Sequence, residues 1–210
     1  MKIGLGCLAV LVIVLIVGAL GVWGMYNGLV GKSEAVDAQW SQVENVYQRR
    51  ADLIPNLVAT VQGAAGFEKA TLEAVTEARA SVGRMQVNAG DLVNNPAAFA
   101  KWEAAQAGLS SALQRLMVVA EAYPDLKATA AFRDLQAQLE GTENRITVER
   151  MRYNEVARDY NVARKRFPTN LLASSFGFDE KAYFKAQEGS DQAPKVQFDF
   201  GNKPQPSPAQ

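Results

Sequence analysis

The sequence contains no histidine and a single cysteine, Cys7, among its 210 residues. The absence of histidine excludes the Ser-His-Asp and Cys-His arrangements and removes the most common zinc ligand. A lone cysteine within an apolar run excludes an intramolecular disulfide and a thiolate metal cluster. We therefore expect no metal site and no cofactor. Carboxylates remain the side chains best able to carry out acid–base chemistry.

Net charge is also absent, because 22 Lys and Arg residues balance 22 Asp and Glu residues. The basic residues do not form a block, and nucleic-acid binding depends on concentrated positive charge. We therefore expect no nucleic-acid partner, and the composition identifies no small-molecule substrate. Apolar residues make up 48% of the chain, which is enough to form a hydrophobic core.

Charged residues are missing altogether from residues 3–25. A helix of that length extends about 35 Å, enough to cross a hydrocarbon layer of about 30 Å. The alternative is a secretory signal peptide, whose apolar region is usually shorter, about 7–15 residues, and ends at a small-residue cleavage site that we do not find. Trp23 and Tyr26 stand where interfacial aromatic residues occur. The sequence predicts a transmembrane anchor over residues 1–28.

The orientation of this anchor depends on few charges. The amino group and Lys2 precede the span, and Lys32 follows it. The positive-inside rule then places the N-terminus in the cytoplasm and the remaining domain outside. We accordingly expect a single-pass protein of the cell membrane with an extracytoplasmic domain.

Four glycines recur every three or four residues in and just after this segment: Gly18, Gly21, Gly24 and Gly28. They share one helical face, and such a face lets membrane helices approach one another closely. The alternative is that glycine is simply common in membrane helices. The first interpretation predicts self-association through this face.

Beyond the anchor, apolar residues follow the spacing of threes and fours that indicates amphipathic, coiled-coil-like helices. The pattern predicts four helices, over residues 36–64, 67–86, 96–123 and 129–166, with Asn95 as the cap of the third. Short connections imply an antiparallel arrangement. The expected fold is all-α, an elongated four-helix bundle over residues 29–166 with the first and fourth helices as long spine helices.

Two charged residues interrupt the apolar faces, Arg50 in the first helix and Glu149 in the fourth. Matching the ends of these two helices places the residues at the same level, which predicts a contact between them. One interpretation is an ion pair that fixes the register of the helices. The other is an acid–base or ligand site, with Glu140, Glu143 and Arg145 nearby.

Pro55 lies inside the first helix, where proline costs about 3 kcal/mol. The apolar spacing continues in phase through it, which predicts a kink rather than a break. The alternative is a new helix that starts there with Asp52 as its N-cap.

An aromatic segment follows the fourth helix over residues 167–186. Because this helix runs antiparallel to one that begins at the membrane, the segment should lie close to the lipid surface. It could close the base of the bundle or enter the bilayer interface. The residues predicted to be membrane-proximal are Phe176, Phe178, Tyr183 and Phe184. Residues 187–210 are rich in Gly, Pro, Ser and Gln, which predicts a disordered tail.

The sequence resembles the LemA family along nearly the whole chain. The matching segments are YNGLV, WSQVENVYQRRADLIPNLVATVQGAAGFE, AYPDLKA at 122–128, FRDLQAQLEGTENRI at 132–146, RYNEVARDYN at 152–161 and PTNLLASSFGF at 168–178. The resemblance implies a four-helix bundle anchored in a bacterial membrane and no established activity or catalytic residues. The N-terminus of family members has often been predicted outside the cell, opposite to the orientation that the charges favour.

These observations predict a protein without enzymatic activity, a membrane-anchored scaffold or adaptor. Its expected partners are the bilayer and either a second copy of the chain or another membrane protein. One alternative is a membrane-remodelling or lipid-interacting protein. The other is an enzyme that uses Glu140, Glu143 or Glu149 together with Arg49, Arg50 or Arg145.

Overall fold

The computed structural model describes residues 2–64, 66–85 and 92–185, without the side chains of residues 2–7 and 9. These ranges contain helices and connecting segments but no strand. The helices are α1 (Lys2–Gln62), α2 (Lys69–Arg84), α3 (Pro96–Ala120), α4 (Pro124–Ala128), α5 (Ala130–Lys165) and α6 (Thr169–Ala173). The predicted all-α fold is confirmed. The predicted disordered tail lies outside the described residues.

The starts of α3 and α5 follow the capping signals of the sequence. Asn95 Oδ1 accepts hydrogen bonds from the backbone N–H groups of Ala97 and Ala98, both at 3.1 Å, and Pro96 occupies the first turn. Thr129 Oγ1 accepts from Phe132 N at 3.3 Å. These contacts satisfy backbone donors that have no partner within the helix.

The spine consists of α1 packed antiparallel against α5, and α2 packs closely on α3. α1 continues unbroken for 61 residues, about 92 Å at 1.5 Å per residue. Its apolar N-terminal part is long and apolar enough to cross a membrane, and the side chains described before Met25 are exposed. Leu29 is the first buried residue among the described side chains of α1, so the bundle core begins without an intervening break.

The core divides into two halves along the length of the bundle. The basal core lies nearer the apolar segment and is rich in aromatic residues, whereas the distal core is mainly aliphatic. α2 contributes Leu72 and Val75 to the distal core. In the basal core, Leu92, Val93 and a C-terminal extended segment complete the packing around α1, α3 and α5. The full four-helix arrangement therefore belongs to the distal half.

Candidate functional site

A buried polar cluster on three helices separates the two halves of the core. Arg50 of α1 is only 1% exposed. Its Nη1 donates to Ser110 Oγ at 2.7 Å and to Glu143 Oε1 at 2.8 Å, and its Nη2 donates to Gln106 Oε1. The guanidinium also lies over the ring of Tyr47, 5.0 Å from the centroid. One cation thus joins α1, α3 and α5.

The fork geometry of arginine suits this position because it can donate to several acceptors at once. Arg50 Nε is buried without a hydrogen-bond partner among the described residues. An unsatisfied buried donor costs about 1–3 kcal/mol, so this cluster contributes specificity of packing at some cost in stability. Burial raises the pKa of the neighbouring Tyr47, while Arg150 and Arg50 oppose that change.

An open groove borders this cluster between α1, α3 and α5. On its rim Arg150 Nη2 lies 2.5 Å from Glu103 Oε1 and 3.1 Å from the carbonyl oxygen of Lys185. The two arginines in the groove are each paired with a carboxylate, Arg50 with Glu143 and Arg150 with Glu103. Because each arginine already has a carboxylate partner, neither offers an unpaired positive charge to an anionic ligand.

The predicted contact between Arg50 and Glu149 is wrong. Glu149 accepts a hydrogen bond from Gln39 Nε2 at 2.7 Å and pairs with Arg152 at 2.9 Å. The partner of Arg50 is Glu143, six residues earlier, or about 9 Å along the axis. The reason is that the matched helix ends are not level, because the C-terminal end of α5 lies farther toward the apolar segment than the predicted start of the first bundle helix.

The residues of the enzyme alternative do not meet at one place. Arg50 and Glu143 line the groove on one side of the α1–α5 pair. Arg49, Arg145 and Glu149 line a separate, shallow groove on another side. Glu140 is exposed and accepts a hydrogen bond from Gln136 Nε2 at 2.9 Å. The structure therefore brings Glu143 together with Arg50, and Glu149 together with Arg49 and Arg145, but it does not gather all of these residues at one site.

Pro55 lies within the unbroken α1, as the continuous apolar spacing predicts. Proline has no N–H, so the carbonyl of Ala51 lacks its partner four residues later. Arg79 Nε of α2 donates to this carbonyl at 3.1 Å. The proline therefore frees an acceptor that links α1 to α2, a role that the sequence alone did not reveal.

The C-terminal segment, residues 178–185, runs in extended form back along α5, and we call it the strap. Gly177 precedes it with a φ of +74°, a conformation that glycine adopts without strain. Two asparagines seven residues apart on α5 hold the strap. Asn161 pairs with the backbone N–H and C=O of Lys181 at 3.0 and 2.9 Å, and Asn154 pairs with those of Phe184, both at 2.9 Å.

Tyrosine hydroxyls provide further contacts with the strap. Tyr153 donates to the carbonyl of Ala182 at 3.0 Å, and Tyr160 donates to that of Asp179 at 2.9 Å. Burial raises the pKa of Tyr160 to about 12 and raises that of Tyr153 further. Both phenols therefore stay protonated, as donors must, well above neutral pH.

The predicted membrane-proximal aromatic residues separate into two groups. Phe176 and Phe178 pack edge-on against Tyr26, with ring centroids 5.3 and 5.5 Å apart. Phe184 instead is buried among Trp40 and other rings of the basal core, so its predicted position is wrong. Trp40 lies fourteen residues beyond Tyr26, about 21 Å along α1.

Tyr183 neighbours Phe184 on the strap and is 39% exposed. It therefore shares the level of Phe184 rather than that of Tyr26, and its predicted membrane-proximal position is wrong for the same reason. The prediction failed for both residues because the chain turns at Gly177 and runs back along α5.

The glycine face of α1 remains without a contact inside the described chain. A Cβ atom built on Gly18, Gly24 or Gly28 would meet nothing within 4 Å, and one on Gly21 would meet only the side chain of Met25. Close approach within the monomer therefore does not explain these glycines, and self-association through them stays a prediction.

The fold and the buried cluster define an all-helical bundle that continues from an N-terminal apolar helix. The sequence of residues 39–198 matches the LemA family. The chain belongs to the LemA family, as the sequence resemblance predicted.

The chain is similar to the magnetosome proteins MamQ 2 and MamQ 1 of Paramagnetospirillum magneticum. Each is 29% identical in an alignment 181 positions long, which covers 79% of this chain and 66% of the relative. The chain therefore spans slightly less than two thirds of the length of these relatives. It is also similar to Protein LemA of Metamycoplasma hominis, at 23% identity over 79% of this chain and 71% of that protein.

Proposed function

We propose that the chain is a non-enzymatic scaffold or adaptor, anchored in a bacterial cell membrane by a single pass of α1. The observation that carries this proposal is the continuity of α1, whose exposed apolar part leads directly into the bundle core at Leu29. A continuous helix provides no hinge, so the bundle would keep a fixed height and orientation relative to the bilayer.

The arrangement of charged groups supports a role without catalysis. Arg50 and Glu143 neutralise each other, whereas Arg49, Arg145 and Glu149 line a separate groove. The names of the MamQ relatives associate them with magnetosomes. A scaffold at a membrane is a role that this chain could share with them.

The expected partner is a second copy of the chain or another membrane protein. The glycine face supports the first possibility, because Gly18, Gly24 and Gly28 leave open space for a neighbouring helix. The positive charge of Lys2 lies before the apolar segment. The positive-inside rule places such a charge in the cytoplasm, which supports an extracytoplasmic bundle.

Two insertions of equal length between Met25 and Tyr26 test the fixed height. A seven-residue alanine-rich insert adds two helical turns, raises the bundle by about 10 Å and nearly preserves its phase. A seven-residue glycine–serine insert adds a flexible joint instead. Both variants leave Tyr26 with the bundle.

The readout is photo-crosslinking from the exposed Val118 of full-length protein in native membranes. We expect the unmodified chain to capture a small, reproducible set of neighbours, the helical insert to replace that set, and the flexible insert to broaden it. Failure of the unmodified protein to crosslink to any neighbour or to a second copy would contradict the scaffold.

A lipid-interacting role is the second candidate. Exposed apolar side chains gather at the base of the bundle, close to the point at which the apolar part of α1 ends.

A further inference from the structure

Three large apolar side chains are exposed at the corner between α5 and the strap. Phe167 is 80% exposed, Leu171 is 62% exposed and Phe176 is 51% exposed. We call this set the basal patch. Single exposed apolar residues are ordinary on protein surfaces, whereas a group of large ones within ten residues indicates a surface that another apolar phase covers.

The position of the basal patch along the molecule is set by contacts with α1. The ring of Phe176 packs against Tyr26, which directly follows the apolar residues 3–25 and precedes the polar Asn27. α6 packs against both α1 and α5, and its Ala173 is buried in the basal core together with Leu29. The patch therefore lies level with the end of the candidate membrane span.

The direction of α5 extends this argument to Phe167. α5 runs antiparallel to α1, so its last residues are those nearest the apolar segment. Arg164 Nε donates to the carbonyl of Phe178, 2.5 Å away, and the ring of Phe178 lies against Tyr26. Phe167 follows two residues after Lys165, the last residue of α5. Its exposed ring thus lies at the end of the bundle that is near Tyr26.

The corner carries only a small excess of positive charge, because Arg164, Lys165 and Arg166 are opposed by Asp179 and Glu180. Lys165 Nζ pairs with Glu180 Oε1 at 2.6 Å, and Asp179 lies next to Glu180 on the strap. Attraction to anionic lipid requires an excess of Lys and Arg near the surface. This corner has no large excess, so apolar burial would supply the binding energy.

We propose that the basal patch inserts into the interfacial layer of the bilayer that holds α1, as a second and peripheral membrane contact. The occupant is lipid, and zwitterionic lipid suffices. Phe and Leu side chains on a membrane-facing surface bury their apolar area at the boundary between the headgroups and the acyl chains. With two points of attachment, the bundle is fixed in tilt as well as height. This inference rests on the proposed membrane anchoring of α1.

Fluorescence quenching of labelled full-length protein in vesicles tests the proposal. In a Cys7→Ser background, single cysteines placed by Leu171→Cys, Val118→Cys or Leu15→Cys carry an environment-sensitive dye. Val118 is the matched control, because it is 72% exposed and lies near the distal end of α3. The vesicles contain phosphatidylcholine with or without phosphatidylglycerol, and nitroxide-labelled lipids are the quencher.

We expect lipid quenching of the dye at 171 and at 15 in both lipid mixtures, and none at 118. Quenching at 15 without quenching at 171 would overturn the inference and leave the anchor intact. No quenching at 15 would reject the anchor and the inference together. A dye at 171 that is shielded from water but not quenched would show that protein covers the patch, and this too would overturn the inference.

A second set of variants distinguishes direct lipid contact by the basal patch from a position of this corner that is merely close to the bilayer. A dye on Asn170→Cys reports on the same corner, and we expect Phe167→Ser with Leu171→Ser to abolish its lipid quenching. Because both side chains are exposed, the bundle should keep its far-UV circular dichroism. Unchanged quenching in this variant, or quenching that requires phosphatidylglycerol, would contradict an apolar contact by these residues.

Discussion

The basal and distal halves of the bundle are built on different principles. The distal core is closed by four helices, with Ile54, Leu57, Leu109 and Leu116 among its buried side chains. The basal core has three helices and an extended strap, and its centre is a set of mutually contacting rings. Those rings are Trp40, Phe99, Trp102, Tyr153 and Phe184, with neighbouring centroids 4.9–6.2 Å apart.

The basal half shows how a bundle can be closed without a fourth helix. Helices satisfy their own backbone, but an extended segment needs external partners for its N–H and C=O groups. Asn154 and Asn161 provide those partners from α5, and Phe184 fills the space between the helices. The basal half therefore depends on a few individual contacts, whereas the distal half depends on a repeated apolar pattern.

Truncation of the aromatic ring of the strap should have the largest effect on this comparison. Replacement of a buried phenylalanine by alanine costs about 3–5 kcal/mol, and we expect a loss of this size for Phe184→Ala. Denaturant unfolding in detergent, followed by tryptophan fluorescence, measures it. The neighbouring Tyr183→Ala is the control, with an expected loss below about 1 kcal/mol for a partly exposed residue. Equal losses in the two variants would refute the role assigned to Phe184.

Replacement of Arg50, the buried cation between the two halves, should cause the next largest loss in the free energy of unfolding. Breaking a buried ion pair costs about 3–5 kcal/mol, and we expect Arg50→Ala to lie near 3 because Glu143 is half-exposed and can be hydrated. Arg50→Met keeps the length of the side chain and should lose less. The exposed neighbour Arg49→Ala should change the free energy of unfolding little. A cost near zero for Arg50→Ala would show that the cluster does not hold the helices together.

Removal of one asparagine should detach part of the strap. Asn161→Ala leaves the N–H and C=O of Lys181 unpaired in a buried position, and we expect a loss of about 2 kcal/mol. Asn154 is less buried, so Asn154→Ala should cost about 1 kcal/mol, since water can replace its contacts. Hydrogen exchange of residues 178–185 should accelerate in both variants while the distal core stays protected. Faster exchange in the distal core as well would contradict the division into two halves.

The link between Arg79 and the carbonyl freed by Pro55 should have the smallest effect, and it belongs to the distal half. We expect Arg79→Ala to cost about 1 kcal/mol, the size of an ordinary hydrogen bond. In a Pro55→Ala background residue 55 again has an N–H for the Ala51 carbonyl, so the same change should cost almost nothing. A double-mutant cycle measures the difference. Identical costs in both backgrounds would remove Pro55 from the explanation.

The long helices could be predicted because each presents an apolar face at a spacing of three and four residues, and because Asn95 is a recognisable cap. The short helices α4 and α6 were missed, since five residues are too few to show a period. The strap was missed for another reason, because its backbone pairs with side chains and not with another strand. The two asparagines seven residues apart on α5 were the available signal.

The candidate site could be predicted only in part. Arg50 interrupts an apolar face, so its burial with a charged partner was foreseeable. The predicted partner, Glu149, lies six residues after the observed partner, Glu143. Register depends on where the helix ends lie relative to each other, and sequence spacing does not contain that information. A neutral polar residue on a helix can be a buried hydrogen-bond acceptor or an exposed surface residue, and the sequence pattern is the same in both cases. Gln106 and Ser110 were missed for this reason.

The proposed rigid scaffold requires that the apolar segment and the bundle form one continuous helix. Hydrogen exchange of the full-length protein in phospholipid nanodiscs tests it most directly, through the backbone amides of residues 24–36. These amides join the apolar part of α1 to the first buried positions of the bundle. We expect them to exchange as slowly as those of residues 40–54. Fast exchange confined to residues 24–36 would reveal a hinge and contradict the proposed rigid scaffold.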